Sequence, residues 1–138
     1  MANEVKIITL LGNLGDPVEW DVADGTALPF GTVMKVTSSP QVAAPATSDG
    51  DFIVGVVGLA KEANDGLTKI ALITHAEIEV VATPSTGSAV LGGKVKITGA
   101  NTVAPADDST ISKAAEAWAT SYETLAASAS GAMLMNLS

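Results

Sequence analysis

The 138-residue chain contains no cysteine. That absence excludes thiol catalysis, zinc–thiolate sites and disulfide frameworks together, and it leaves the redox compartment open. Aromatic residues make up 4% of the chain against 47% hydrophobic residues overall. The core therefore has to be built from Val, Ile, Leu and Ala, a composition that suits β-branched strand packing. Basic side chains are also few, seven against 15 acidic ones for a net charge of -8, which opposes attraction to a nucleic-acid backbone. The acidic residues are dispersed, with pairs at Glu19/Asp21, Asp49/Asp51 and Asp107/Asp108. This is the pattern of a solvated surface and not of an acidic tail. No apolar run approaches the roughly 20 residues of a membrane span. Lys6 alone, ahead of Ile7-Ile8-Thr9-Leu10-Leu11, is too little charge for a secretory signal. The expectation is one soluble domain that stays in the compartment where it is made, with no membrane or nucleic acid as a direct partner.

Chemistry-bearing residues are equally sparse. His75 is the only histidine, so an acid–base mechanism or a His-rich metal site would lack its other members, and ordinary strand-end hydrogen bonding is the better reading. Asp49-Gly50-Asp51 and Asp107/Asp108 lack the remaining ligands of a calcium loop and suit turns and helix capping. No serine sits in a Gly-x-Ser-x-Gly elbow, and Gly92-Gly93-Lys94-Val95 lacks the spacing of a phosphate loop. No catalytic, cofactor-binding or metal-binding residue is assigned.

What the chain does have is an internal echo. Gly31-Thr-Val-Met-Lys-Val-Thr37 followed by Val42-Ala-Ala-Pro45 resembles Gly92-Gly-Lys-Val-Lys-Ile-Thr98 followed by Val103-Ala-Pro105. Lys35 aligns with Lys96, Val36 with Ile97 and Pro45 with Pro105, with one residue of slack. The reading is a duplicated β-unit, about 31–73 and 92–137.

Period-2 alternation and β-branched runs predict further strands over Val5–Leu11, Pro17–Ala23, Thr32–Thr37, Phe52–Leu59, Thr68–Ile73, Glu77–Val81 and Ala132–Leu137. The pair Thr68–Ile73 and Glu77–Val81 is expected to form a meander. Ser38–Gly50 reads as a surface loop with at most a short strand near Gln41-Val42. Ile111, Ala114, Ala115 and Trp118 fall at helical spacing after a capping Asp107 or Asp108, predicting a helix over Asp108–Trp118. Beyond Trp118 the chain either extends that helix or alternates as a strand. Met1–Leu11 could pair within its own fold or add a strand to another protein's sheet.

Several blocks carry a family resemblance: Leu28-Pro-Phe-Gly-Thr-Val-Met-Lys-Val36, Gly50-Asp-Phe-Ile-Val-Gly-Val-Val57, Asn64-Asp-Gly-Leu-Thr-Lys-Ile-Ala71, Gly99-Ala-Asn-Thr-Val103 and Tyr122-Glu-Thr-Leu125 through Leu137. In order and spacing, over roughly Pro17–Leu137, the chain resembles the head decoration, or capsid cement, proteins of tailed bacterial and archaeal viruses, the lambda type included. Its Trp20-Asp-Val-Ala-Asp-Gly-Thr-Ala-Leu-Pro-Phe-Gly-Thr-Val33 segment matches that family's run from an acidic strand through an Asp-Gly turn. The Ala-rich stretch Lys113–Thr120 departs from it.

The resemblance implies a mainly β, compact β-barrel or β-tulip-like domain over 17–138, here with one short helix and an extended N-terminal arm over 1–16. It implies a non-enzymatic structural virion protein, made in the host cytoplasm, that binds the major capsid protein on the outer capsid surface as a homotrimer and bridges neighbouring capsomers. No cofactor is implied. Val5, Ile7, Leu10 and Leu11 of the arm, with Trp20 and Phe30, are the expected capsid or subunit contacts. A rival of another class is a β-sandwich carbohydrate- or receptor-binding module, which would need exposed aromatic residues. A small hydrolase would need His75 beside a serine or paired carboxylates.

Overall fold

The alternating and β-branched runs do form strands, and their pairing closes them into two barrels. The computed structural model describes residues 4–10, 18–48, 51–82, 92–106, 117–125 and 128–137. Among these residues the strands are β1 Lys6–Leu10, β2 Val18–Asp21, β3 Val33–Ser38, β4 Val42–Pro45, β5 Ile53–Val57, β6 Lys69–Ile73, β7 His75–Ala82, β8 Lys94–Gly99, β9 Thr102–Pro105, β10 Ala119–Ser121 and β11 Ser130–Asn136. The first barrel closes in the order β2-β4-β3-β5-β6. The second runs β7-β11-β10-β8-β9 and closes through a parallel β7–β9 contact, with β1 added on β7.

The two barrels share one wiring scheme. In each, the first strand pairs antiparallel with the last and parallel with the third: β2 with β6 and β4, β7 with β11 and β9. The hairpins match in register, Lys35 opposite Ala44 and Val36 opposite Ala43 in one, Lys96 opposite Ala104 and Ile97 opposite Val103 in the other. Each hairpin then slips at the same place, before Ser38 and before Gly99, and turns through a left-handed residue, Gln41 (φ 53°) and Asn101 (φ 59°). The shared unit begins earlier than the sequence echo, at β2 and β7.

Several expectations change. Ser38–Gly50 is not merely a surface loop, because β4 closes the first barrel and buries Ala43. β6 and β7 do not form a meander; they belong to different barrels and only Thr74 separates them. The helix over Asp108–Trp118 falls mostly on 107–116, outside the described residues. Its last two positions, Ala117 and Trp118, are non-helical and lead into β10, so the chain after Trp118 takes the strand alternative, and no helix occurs among the described residues.

Of the N-terminal arm expected over 1–16, residues 1–3 and 11–16 lie outside the described residues, and the described part is not extended away from the fold. Lys6–Leu10 pairs with Ala76–Glu79 of β7, and the Val5 amide donates to the Gly31 carbonyl at 2.8 Å. One short segment thereby ties the wall of the first barrel to the sheet of the second. Alternation on β1 turns Val5 and Ile7 inward and leaves Lys6 and Ile8 in solvent.

The interior of the first barrel is Val22, Leu28, Met34, Ala43, Val57, Ile70 and Leu72, with Trp20 and Val54 packed against it. A larger cluster fills the second barrel with Ile78, Val80, Val95, Ile97, Val103, Met133 and Met135, and takes in Val33, Ala46 and Val56 from the outer wall of the first. Asn101, fully buried, seals that junction: its Oδ1 accepts from the Val33 amide at 3.0 Å.

Glycine is required where the N-terminal segment crosses the first barrel. Gly31 has φ 87°, and a Cβ there would run into the Val5 carbonyl oxygen. Gly92 occupies the same place in the second barrel with φ 76°, and no atom of the described residues lies within 4 Å of where its Cβ would be. Gly92→Ala should cost only the left-handed backbone term, about 1–2 kcal/mol. Gly31→Ala should cost about 2 kcal/mol more, because the N-terminal strand must move as well. Denaturant unfolding of the two variants checks the difference.

Candidate binding surface

Two loops at one rim of the first barrel are held by a lysine. Lys61 is buried, and its ammonium donates to the carbonyls of Asp24 (2.7 Å) and Glu62 (2.9 Å) and to the carboxylates of Asp65 (2.9 Å) and Asp24 (3.4 Å). Its backbone pairs with Leu28 in both directions, 2.8 and 2.9 Å. Asp65 also accepts from the Leu67 and Glu62 amides, and Asp24 from the Gly66 amide. The carboxylates of this rim are thus spent on a cation the chain supplies itself. Among the described residues no group of three or more His, Cys, Asp or Glu is placed to hold a metal ion.

Charge states follow the contacts. Burial works against the Lys61 ammonium, but the hydrogen bonds and attraction from Asp65 and Asp24 outweigh it and raise its pKa. The Leu67 amide and then Lys61 hold the Asp65 carboxyl below its ordinary value, against partial burial.

The lock presents apolar side chains. Continuing the register of Leu28–Lys61 and Val33–Val56 sets Phe30 across from Leu59, and both stand in solvent, 48% and 76% exposed. Leu67 beyond the lock is exposed too. At the opposite end of the barrel Val36 and Phe52 are exposed and linked, the Val36 amide donating to the Phe52 carbonyl. Beside them Lys35 pairs with Asp51 at 3.3 Å, and Asp51 accepts from the Thr47 and Ser48 amides. Burial disfavours the Asp51 charge, yet these donors and Lys35 hold its carboxyl below the usual range.

The residues expected as contacts fall in different places. Phe30 is on the surface. Val5 is core and Ile7 is partly buried against the same core, so their side chains are taken up by the chain's own interior. Trp20 is half-buried on the core of its own barrel, its Nε1 enclosed without a hydrogen-bond partner among the described residues. Leu10 ends β1, while Leu11 lies outside the described residues. Ile8, Leu59, Leu67 and Phe52 are exposed apolar residues that the sequence reading did not single out. For Ile8 the signal was present, since alternation from Val5 points it outward. Leu59 was hidden inside an apolar run that reads as buried strand throughout.

His75 begins β7, half-buried. No protein-family model matches the chain, and no curated protein matches it either.

The stabilising effect of Asp65 should be complete above the carboxylate's unfolded pKa, about 4, and fade as the pH falls through its lower folded value. Asp65→Asn should therefore lower the thermal midpoint by several degrees at neutral pH and by much less near pH 2. Melting curves across that range test this, and a gap that does not narrow would contradict it.

Proposed function

We propose that this chain is a structural virion protein that binds the outer surface of an assembled capsid and holds neighbouring capsomers together. Two things support the reading: the ordered resemblance to head decoration proteins over roughly Pro17–Leu137, and the apolar pair Phe30 and Leu59 held out in solvent by a rigid rim. The second observation carries it. Isolated exposed apolar residues are ordinary, but here a buried lysine and two carboxylates fix the loops that bear them. Such a rim meets a partner with little ordering cost.

The physical effect would be linkage. A protein that binds only the assembled lattice stabilises it by mass action, and many copies sum modest contacts into a large total. The partner is the major capsid protein, with copies grouped as trimers, and the contact surface moves from Val5 and Ile7 to Phe30, Leu59 and the outward Ile8.

Phe30→Ser with Leu59→Ser should leave the fold intact, since both side chains are exposed, and should weaken capsid binding roughly tenfold or more. Co-sedimentation with undecorated shells measures the loss, and a particle reconstruction locates the protein. Density on the inner surface or in the tail would overturn the reading. Glycan binding by the purified chain, abolished at Phe30 or Tyr122, would favour the carbohydrate-binding alternative.

A further inference from the structure

The shared wiring assigns every strand position in one barrel a counterpart in the other. Val33, Ala46, Ile53, Val56 and Ile73 correspond to Lys94, Ala106, Ala117, Thr120 and Leu134. In the first barrel those five residues are the wall packed on the second barrel's core cluster. In the second barrel all five counterparts line a groove of about 680 Å³.

The other half of the contact behaves in the same way. At the end of the second barrel Ile97 is fully buried, and Asn101 reaches across to the Val33 amide. Their counterparts at the end of the first barrel are Val36, 39% exposed, and Gln41, also exposed. Among the described residues the chain makes one wall-to-end contact internally and leaves the counterpart wall, and an end where Gln41 Nε2 donates to the Glu19 carbonyl at 2.7 Å, facing outward.

We infer that two copies of this chain associate head to tail, the Lys94 groove of one receiving the Val36 and Gln41 end of the other. Charge supports a second copy as the occupant. Inside the chain Asn101 stands between Val33 and β7, where Val81 pairs with the adjacent Thr102. The counterparts of Val33 and Val81 are Lys94 and Asp21, a cation and an anion. In the free chain Lys94 donates to Thr120 Oγ1 at 2.7 Å, and Asp21 holds the exposed Lys69 at 2.7 Å. Both can exchange these surface partners at small cost. A contact that is apolar within the chain thus becomes a polar, reversible one between chains, sensitive to salt. The inference rests on the internal repeat and not on the capsid reading, and either can fail without the other.

Sedimentation of the full chain without capsids tests it. The expected result is association that grows through the micromolar range and weakens as salt is added. Lys94→Glu or Asp21→Lys alone should weaken it roughly tenfold, and the two together should restore part of the loss. Val36→Ser should weaken it with the thermal midpoint unchanged, which guards against misfolding of the charge variants. A chain that stays monomeric throughout, or charge reversals that only add, would overturn the proposal.

Discussion

The constraint on which the rest depends is the seating of the first barrel's wall on the open end of the second. A five-stranded barrel of such short strands encloses few side chains, and its ends leave apolar residues facing water. Val33, Ala46 and Val56 close one of those ends, so one cluster runs from the second barrel's interior into the first barrel's wall. Burial would leave the Val33 amide without water, and Asn101 supplies the acceptor it needs. β1 then bridges both units, which places Val5 in the same cluster.

Within this frame the two barrels solve the same packing problem with different side chains. Trp20 lies opposite Ile70 in the first; their counterparts in the second are Val80 and Gly131. The lost volume is replaced from elsewhere, because Leu125 sits where a side chain on Gly131 would go, 2.5 Å from the position of a Cβ. Glu123 joins it there and accepts from the Ala132 amide.

Most of the strands were legible in the sequence because alternation and β-branching are local signals, and Lys35 over Lys96 already aligned the two repeated units. Closure was not legible. It depends on the parallel contacts Asp21–Val42 and Val81–Thr102, which join residues far apart in sequence through one pair of positions or two. β4 was legible only in part, as a short strand near Gln41-Val42: Ala43, Ala44 and Pro45 have weak strand propensity and are strand because β3 lies beside them. Of the two alternatives open for Met1–Leu11, Lys6–Leu10 takes the first and pairs within its own fold. Its apolar pattern was read correctly as a strand, but the pattern says nothing about which sheet edge the strand joins. Of the expected surface, Phe30 does stand in solvent, whereas Val5 and Trp20 were apolar residues whose destination only tertiary packing decides.

The repeat also separates what the fold needs from what it merely permits. Leu59 and Glu123 hold equivalent places after β5 and β10. Glu123 is used internally, its carboxylate on the Ala132 amide and its carbonyl on the Ser121 hydroxyl, so this position in the unit accepts a polar side chain without loss of the barrel. The leucine at position 59 therefore answers no demand of the fold. The same holds at the wall, where Val33 and Val56 are replaced by Lys94 and Thr120 once no barrel covers them. The uncovered wall is polar at two of its five positions and keeps Ala106, Ala117 and Leu134 at the others, whereas Phe30 and Leu59 stand 48% and 76% exposed beside the Lys61 lock.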